Sequence, residues 1–291
     1  MPLRNTLPVV WEFEAIGTRW QIESAVELPD ELRTAVTERI ADFDHSYSRF
    51  RDDSLVSRLR SGSGSYEFPD DAAELFSVYD RLFDLSAGAV TPFVGDALER
   101  LGYDATYSLI PSGPPAPAPS WRDARVGAAT VATAAPVVLD VGAAGKGYLV
   151  DLVLRMLVAA GIDRVVVDGS GDMRAYGVPK YRAALEHPYD ASRAIGVATP
   201  GERALCASAS NRRTWGDGLH HVLDGRTGEP VRTVVATWAI AETGLIADGL
   251  ATALFLVEPE KLAESFDFDY LRMFSDGSAQ YSATFPGEVF R

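Results

Sequence analysis

Three groups of side chains in this sequence have the types and spacing to do chemistry. The run Asp140-Val-Gly-Ala-Ala-Gly-Lys-Gly147 places Gly142, Gly145 and Gly147 around Lys146. Glycines let a backbone turn sharply, and a helix that starts at such a turn aims its free amides and positive dipole end at an anion. Asp248 and Thr252 stand one helical turn apart in an apolar segment, so a carboxylate and a hydroxyl share a face. That set suits Mg²⁺, a hard ion that takes oxygen ligands and usually accompanies phosphate. His220 and His221 open a dense patch that runs through Asp224-Gly-Arg-Thr-Gly228, and an imidazole titrates close enough to neutral pH to act as a general base.

Each group also has a plainer structural reading. Glycine-rich turns cap helices without binding anything, an aspartate early in a helix is favoured by the dipole, and paired histidines often end a strand. Asp224 and Arg226 can simply pair with each other. The glycine turn is not a Walker loop, because the positions where that motif requires Gly and Ser or Thr hold Asp140 and Gly147. Lys146 is one of only three lysines, with Lys180 and Lys261, which favours a specific role over general surface charge.

The elements that must position these groups follow from periodicity. Val137 to Leu139 reads as a buried strand entering the glycine turn, and Tyr148 to Leu157 as the helix leaving it. Arg164 to Asp168 reads as a second strand, which predicts a right-handed crossover with neighbouring parallel strands. Upstream, Val9–Ala15 and Trp20–Val26 alternate around Gly17-Thr18 as an antiparallel pair. Helices are expected over Pro29–Phe43, a short segment through Leu59, and Ala72 to about Leu85. Downstream, strands are expected near 191–199, 204–208, 221–223, 234–241, 270–275 and 279–285, with a helix from Ile246 to Val257 stopped by Pro259. Residues 111–119, Pro-Ser-Gly-Pro-Pro-Ala-Pro-Ala-Pro, form a stiff extended surface loop or insertion. No internal repeat is visible.

Composition narrows the function. The formal net charge of −14 argues against a nucleic-acid binder, and means that an anionic substrate must be met by local positive groups or a metal. Cys206 is the single cysteine, so an intramolecular disulfide and a cysteine zinc site are excluded, and its apolar neighbours make it a buried thiol. No segment approaches the ~18 apolar residues of a membrane span. The first residues, Met-Pro-Leu-Arg-Asn-Thr-Leu-Pro, carry neither a long apolar run nor a lipobox cysteine. The chain as given therefore reads as cytoplasmic, and as exported if a leader precedes it.

In order along the chain, several motifs together resemble the FAD:protein FMN transferases, the ApbE-like family. They are Ile16-Gly-Thr18, Ser48-Arg-Phe-Arg-Asp-Asp-Ser54, Phe83-Asp-Leu-Ser-Ala-Gly88, the 140–151 glycine turn, Val167-Asp-Gly-Ser-Gly-Asp172, Ser208-Ala-Ser-Asn-Arg-Arg213, His221-Val-Leu-Asp-Gly-Arg-Thr-Gly228 and Ala247-Asp-Gly-Leu-Ala-Thr-Ala253. The resemblance implies a mixed α/β (α+β) chain, one two-lobed domain over residues 1–291 with FAD in the groove between the lobes. It implies Mg²⁺-dependent transfer of FMN from FAD to a Ser or Thr hydroxyl of an acceptor protein, with release of AMP.

By motif, the resemblance makes Asp248, Thr252 and the carbonyl of Ala143 the metal ligands. Ile16, Phe50, Ser86, Ala87, Gly88, Asp140, Lys146 and Val222 become FAD contacts, and His221 rather than His220 the base for the acceptor hydroxyl. The family's usual Met before Gly-Thr is Ile16 here, its usual aromatic tyrosine is Phe50, and Ala143, Ala144 and Gly145 depart from its common turn. Two alternatives share the same residues: a Mg²⁺-dependent FAD pyrophosphatase that yields FMN and AMP, and a flavin-binding protein without turnover.

Overall fold

The computed structural model describes residues 7–290. Residues 1–6, on which most of the localisation expectation rests, lie outside that range. The backbone of the fold is an eight-stranded antiparallel sheet. Its order is Val9–Ala15, Thr18–Ser24, Val165–Asp168, Met173–Tyr176, Ala204–Ala209, Val234–Ala241, Phe268–Phe274, Ala279–Tyr281. Its long central strand Val234–Ala241 is buried along its whole length. Successive side chains of a strand face opposite ways, so such a strand must serve two cores. Ala239 and Ala241 join the core under the helices, together with Cys206, Val165 and Val167. Trp238 and Ile240 join a second core with Val166, Leu205 and Leu271. A three-stranded sheet, Ala183–His187, Asp190–Ala198 and Gly287–Val289, closes that second core through Ala183, Leu185 and Ala198.

The helical layer consists mainly of Asp30–Tyr47, Ala72–Leu85, the central helix Gly145–Ala159 and the carboxyl-side helix Gly244–Ala253. These last two are strongly apolar and cross each other on the sheet. Their crossing point is Gly147 against Gly244, where a Cβ on either residue would collide with the other's backbone carbonyl. Only glycine permits helices to meet backbone to backbone in this way.

Two sequence expectations are corrected. Val137–Leu139 is buried but not a strand: the Val137 amide donates to the Leu59 carbonyl (3.2 Å) and the Asp140 amide to that of Pro92 (2.7 Å). A short apolar run reports burial, and irregular backbone meets that demand as well as a strand does. The parallel crossover is also absent. Val165–Asp168 pairs antiparallel with Thr18–Ser24 on one side and with the unforeseen strand Met173–Tyr176 on the other. Every strand pair among the described residues is antiparallel.

At the carboxyl-side helix, Pro259 does not act as the stop. The helix ends at Ala253, and Pro259 opens the next one, Pro259–Leu262, where its missing amide costs nothing. The proline-rich stretch 111–119 forms neither helix nor strand. It lies across the 224–228 turn, with the Ala118 amide donating to the Gly225 carbonyl (2.8 Å). No described helix is long and apolar enough to cross a membrane.

Candidate active site

The glycine turn ends against the two crossed helices, and its polar groups are already organised. The Asp248 carboxylate accepts from the Gly147 amide (2.8 Å), so one of its oxygens is committed to the first turn of the central helix. Thr252, one turn further along the same helix, donates from Oγ1 to the Ala143 carbonyl (3.2 Å). Three oxygen-bearing groups from two elements thus converge. Adjacent ligands of a six-coordinate Mg²⁺ with bonds near 2.1 Å sit about 3 Å apart, so the Thr252–Ala143 spacing suits that ion. Burial raises the Asp248 carboxyl well above its ordinary value, and the neighbouring Asp172 carboxylate adds to the effect. A divalent cation beside Asp248 would reverse that balance, which is the chemistry expected of a hard-ion site. No cluster of three or more His, Cys, Asp or Glu side chains with metal-binding geometry occurs among the described residues. The donor set here uses a hydroxyl and a backbone carbonyl instead.

Lys146 is already engaged within the protein. Its Nζ donates to the Gly169 carbonyl (2.6 Å) and pairs with the wholly buried Asp172 (2.6 Å), which outweighs the cost of desolvation and holds its pKa above the ordinary value. The lysine charge is thus neutralised locally. Asp140 is likewise engaged: it accepts from the Gly142 amide (2.6 Å) and from Arg49 Nε (2.5 Å). Burial pushes its carboxyl up, yet Arg49 and the Gly142 amide hold it below the ordinary carboxylate value. Arg49, which sequence reasoning passed over, is itself buried. It donates to the Tyr103 carbonyl (2.8 Å) and lies over the rings of Phe50 (4.2 Å) and Tyr103 (4.8 Å). Phe50 is therefore linked to Asp140 through one guanidinium, and its ring also stacks on Tyr107 at 5.1 Å and meets Tyr103 edge-on at 5.6 Å.

The loop after the Ala72–Leu85 helix has its own fixed shape. Ala87 and Gly88 both adopt positive φ (51° and 87°), and Ser86 Oγ accepts from the Val90 amide (2.9 Å). This loop packs on the 224–228 turn, where the Gly225 amide donates to the Ala89 carbonyl (2.8 Å) and no Cβ would fit at Gly225. Pro92 in turn holds the Asp140 amide (2.7 Å), so the Ser86–Gly88 loop, Asp140 and the His221 hairpin share one neighbourhood. Ile16 sits at the tip of the first hairpin with φ 47°, and its second strand pairs with the strand that leads to Gly169.

The two histidines separate clearly. His220 is a strut: its Nε2 lies 2.7 Å from the Val231 carbonyl and its Nδ1 accepts from the Val222 amide (3.2 Å). His221 falls between the short strands Leu219–His220 and Leu223–Asp224, and its Nδ1 has no hydrogen-bond partner among the described residues. Burial first, then the Arg213 charge, push its pKa down to about 4, so at neutral pH the ring is uncharged and able to accept a proton. Val222 turns its side chain into a small cluster with Val234 and Phe255.

Sequence reasoning gave Arg49 no role, although it stands in the Ser48-Arg-Phe-Arg-Asp-Asp-Ser54 motif; its partner Asp140 lies 91 residues away, and no local spacing could name it. Asp172 and Asp151 were visible only as motif letters. A carboxylate within Tyr-Leu-Val-Asp-Leu-Val-Leu is nevertheless a signal, because an aspartate on an apolar helix must be met by a partner.

Comparison with known proteins gives this geometry a lineage. The FAD:protein FMN transferase of Rhodobacter capsulatus is 29% identical over 235 residues, which cover 74% of this chain but 44% of that relative's length. The one from Vibrio cholerae is 26% identical over 276 residues, covering 87% of this chain and 83% of its own length. The crystal structure of the ApbE protein from Thermotoga maritima superposes with a TM-score of 0.78 at 21% identity, covering 95% of this chain and 97% of that one, and so shares the fold. Residues 16–271 match the ApbE family over most of the sequence, and the chain belongs to that family.

Proposed function

We propose that this protein transfers FMN from FAD to a Ser or Thr hydroxyl of an acceptor protein and releases AMP. The observation that carries the reading is the pairing, around one neighbourhood, of a hard-ion donor set at Ala143, Asp248 and Thr252 with an uncharged imidazole at His221 whose Nδ1 has no hydrogen-bond partner among the described residues. Relatives that carry this activity by name support it.

In the proposed reaction the acceptor oxygen attacks the phosphorus on the FMN side of the FAD diphosphate. A new P–O bond forms, the bond to the AMP phosphate oxygen breaks, and His221 takes the hydroxyl proton. Mg²⁺, when held by Asp248, Thr252 and the Ala143 carbonyl, supplies the positive charge that a diphosphate needs in an acidic protein. Phe50, with Arg49 behind it, and Ile16 would wall the flat parts of FAD, while Val222, whose side chain packs on Val234 and Phe255, can offer only its backbone. Ser86, Ala87, Gly88 and Asp140 offer polar backbone and side-chain contacts. Lys146 orders the turn through Gly169 and Asp172 and adds to the local field rather than gripping phosphate as a free charge.

The test is incubation of the protein with FAD and Mg²⁺, with and without a candidate acceptor, following AMP and covalent flavin. AMP together with labelled acceptor, both lost in Asp248→Ala, is the expected result. AMP with free FMN in the presence of a competent acceptor would replace transfer by hydrolysis. Intact bound FAD without AMP would leave a flavin-binding protein.

A further inference from the structure

The crossed helices are tied by two carboxylates acting in opposite directions, and only one of them belongs to the proposed donor set. Asp248, four residues after Gly244, accepts from the Gly147 amide (2.8 Å). Asp151, four residues after Gly147, accepts from the Gly244 and Leu245 amides (both 2.9 Å). Each helix thus caps the first turn of the other, and the glycine pair at the crossing sets their separation. Asp151 is fully buried, with Arg174 Nη1 at 2.6 Å as its counter-charge. Burying a carboxylate and a guanidinium together offers little net stability, and an apolar pair of similar volume would pack there as well. The charge instead fixes where the carboxyl-side helix begins.

We infer that Asp151, backed by Arg174, is a positioning residue that sets the register of the carboxyl-side helix, and through it the placement of Asp248 and Thr252 for a divalent cation; the inference rests on the functional reading above. One residue of helix corresponds to about 1.5 Å of rise, and Mg²⁺ tolerates only small departures from octahedral geometry. Slippage of Gly244 relative to the glycine turn would part Thr252 Oγ1 from the Ala143 carbonyl, now 3.2 Å away. The Gly147 and Lys146 amides together tie the Asp248 carboxylate to the first turn of the central helix, so its placement follows that of the crossing. Partners behind metal ligands commonly account for about 10- to 100-fold in metal affinity.

The experiment compares the full chain with Asp151→Asn and Arg174→Met. Two Mg²⁺ titrations are read: flavin fluorescence at equilibrium with FAD and no acceptor, and the rate of AMP release with acceptor. Asp151→Asn is expected to raise half-saturating Mg²⁺ about 10-fold or more in both, with kcat at saturating Mg²⁺ and FAD binding in EDTA close to wild type. Arg174→Met, which leaves the Asp151 carboxylate and both amides in place, should shift it in the same direction by less, and stands as the test if Asp151→Asn does not fold. Folded variants with wild-type Mg²⁺ dependence would overturn the inference and leave the transferase reading intact. A wild-type protein that responds to Mg²⁺ in neither titration would overturn both.

Discussion

The two sides of the candidate site are built in opposite ways. On the proposed cation side, Asp248 and Thr252 stand on the carboxyl-side helix and Ala143 in the turn that leads into the central helix; the two helices meet at Gly147 and Gly244 and rest on an entirely buried strand. On the acceptor side, His221 lies among pieces only two residues long, Thr214–Trp215, Leu219–His220, Leu223–Asp224 and Glu229–Pro230, steadied by His220 and by the proline-rich loop. A cation tolerates little displacement and needs rigid ligands. A surface that must admit a protein segment is better made of loops, whose backbone can adjust without disturbing the core.

This contrast predicts where damage will be greatest. Asp248→Ala removes the one carboxylate of the proposed cation site, and with it the positive charge the cation would bring to the diphosphate, so AMP release should fall by about a thousandfold or more; a smaller loss would move the cation elsewhere. His221→Ala should lower transfer by about 10²- to 10⁴-fold while FAD binding, followed by flavin fluorescence, persists. Retained transfer would remove His221 from the mechanism. Gly147→Ala forces the crossed backbones apart and should cost about 1–3 kcal/mol or more, read as a lower Tm. Gly218, on the loop side, has a positive φ (71°) instead and no nearby backbone, and Gly218→Ala should cost about 1 kcal/mol.

The pH response separates the two sides further. His221 is uncharged in the folded protein down to about 4, whereas in the unfolded chain it takes up its proton near the ordinary 6.5. Unfolded chains therefore bind more protons between those values, so the stability this histidine contributes is present above about 6.5 and is lost as pH falls toward 4. His221→Gln should flatten the dependence of Tm on pH in that window. The smallest expected effect belongs to Arg213, which enters no ion pair among the described residues and whose charge is the second cause depressing His221. Arg213→Ala should move the acid limb of transfer upward in pH, and an unchanged limb would mean that burial alone governs the imidazole.

Much of this arrangement is legible in the sequence. The helix over Ala72–Leu85 matches its expected bounds because its apolar residues recur at helical spacing, and the strand Val234–Ala241 because a short, continuous, β-branched and aromatic apolar run fits a strand buried on both faces. Asp248 and Thr252 share a face because helix geometry alone puts them there. The Val137–Leu139 run misleads because hydrophobicity records that a segment is buried, not how its amides are satisfied. The antiparallel placement of Val165–Asp168 depends on partners more than a hundred residues away in one case and on the tight turn at Gly169–Asp172 in the other.

The sequence by itself determined the inventory: the glycines that permit a close crossing, the oxygen donors one turn apart, the histidine pair and the family they spell out. Tertiary structure decided which members of that inventory are free to act. Lys146 is taken up by Asp172, Asp140 by Arg49, and His220 by Val231, whereas the buried His221 Nδ1 has no hydrogen-bond partner among the described residues. Availability is a property of three-dimensional neighbours, because a buried charge or polar atom is met by whatever group the packing brings to it, and local spacing cannot say which group that will be.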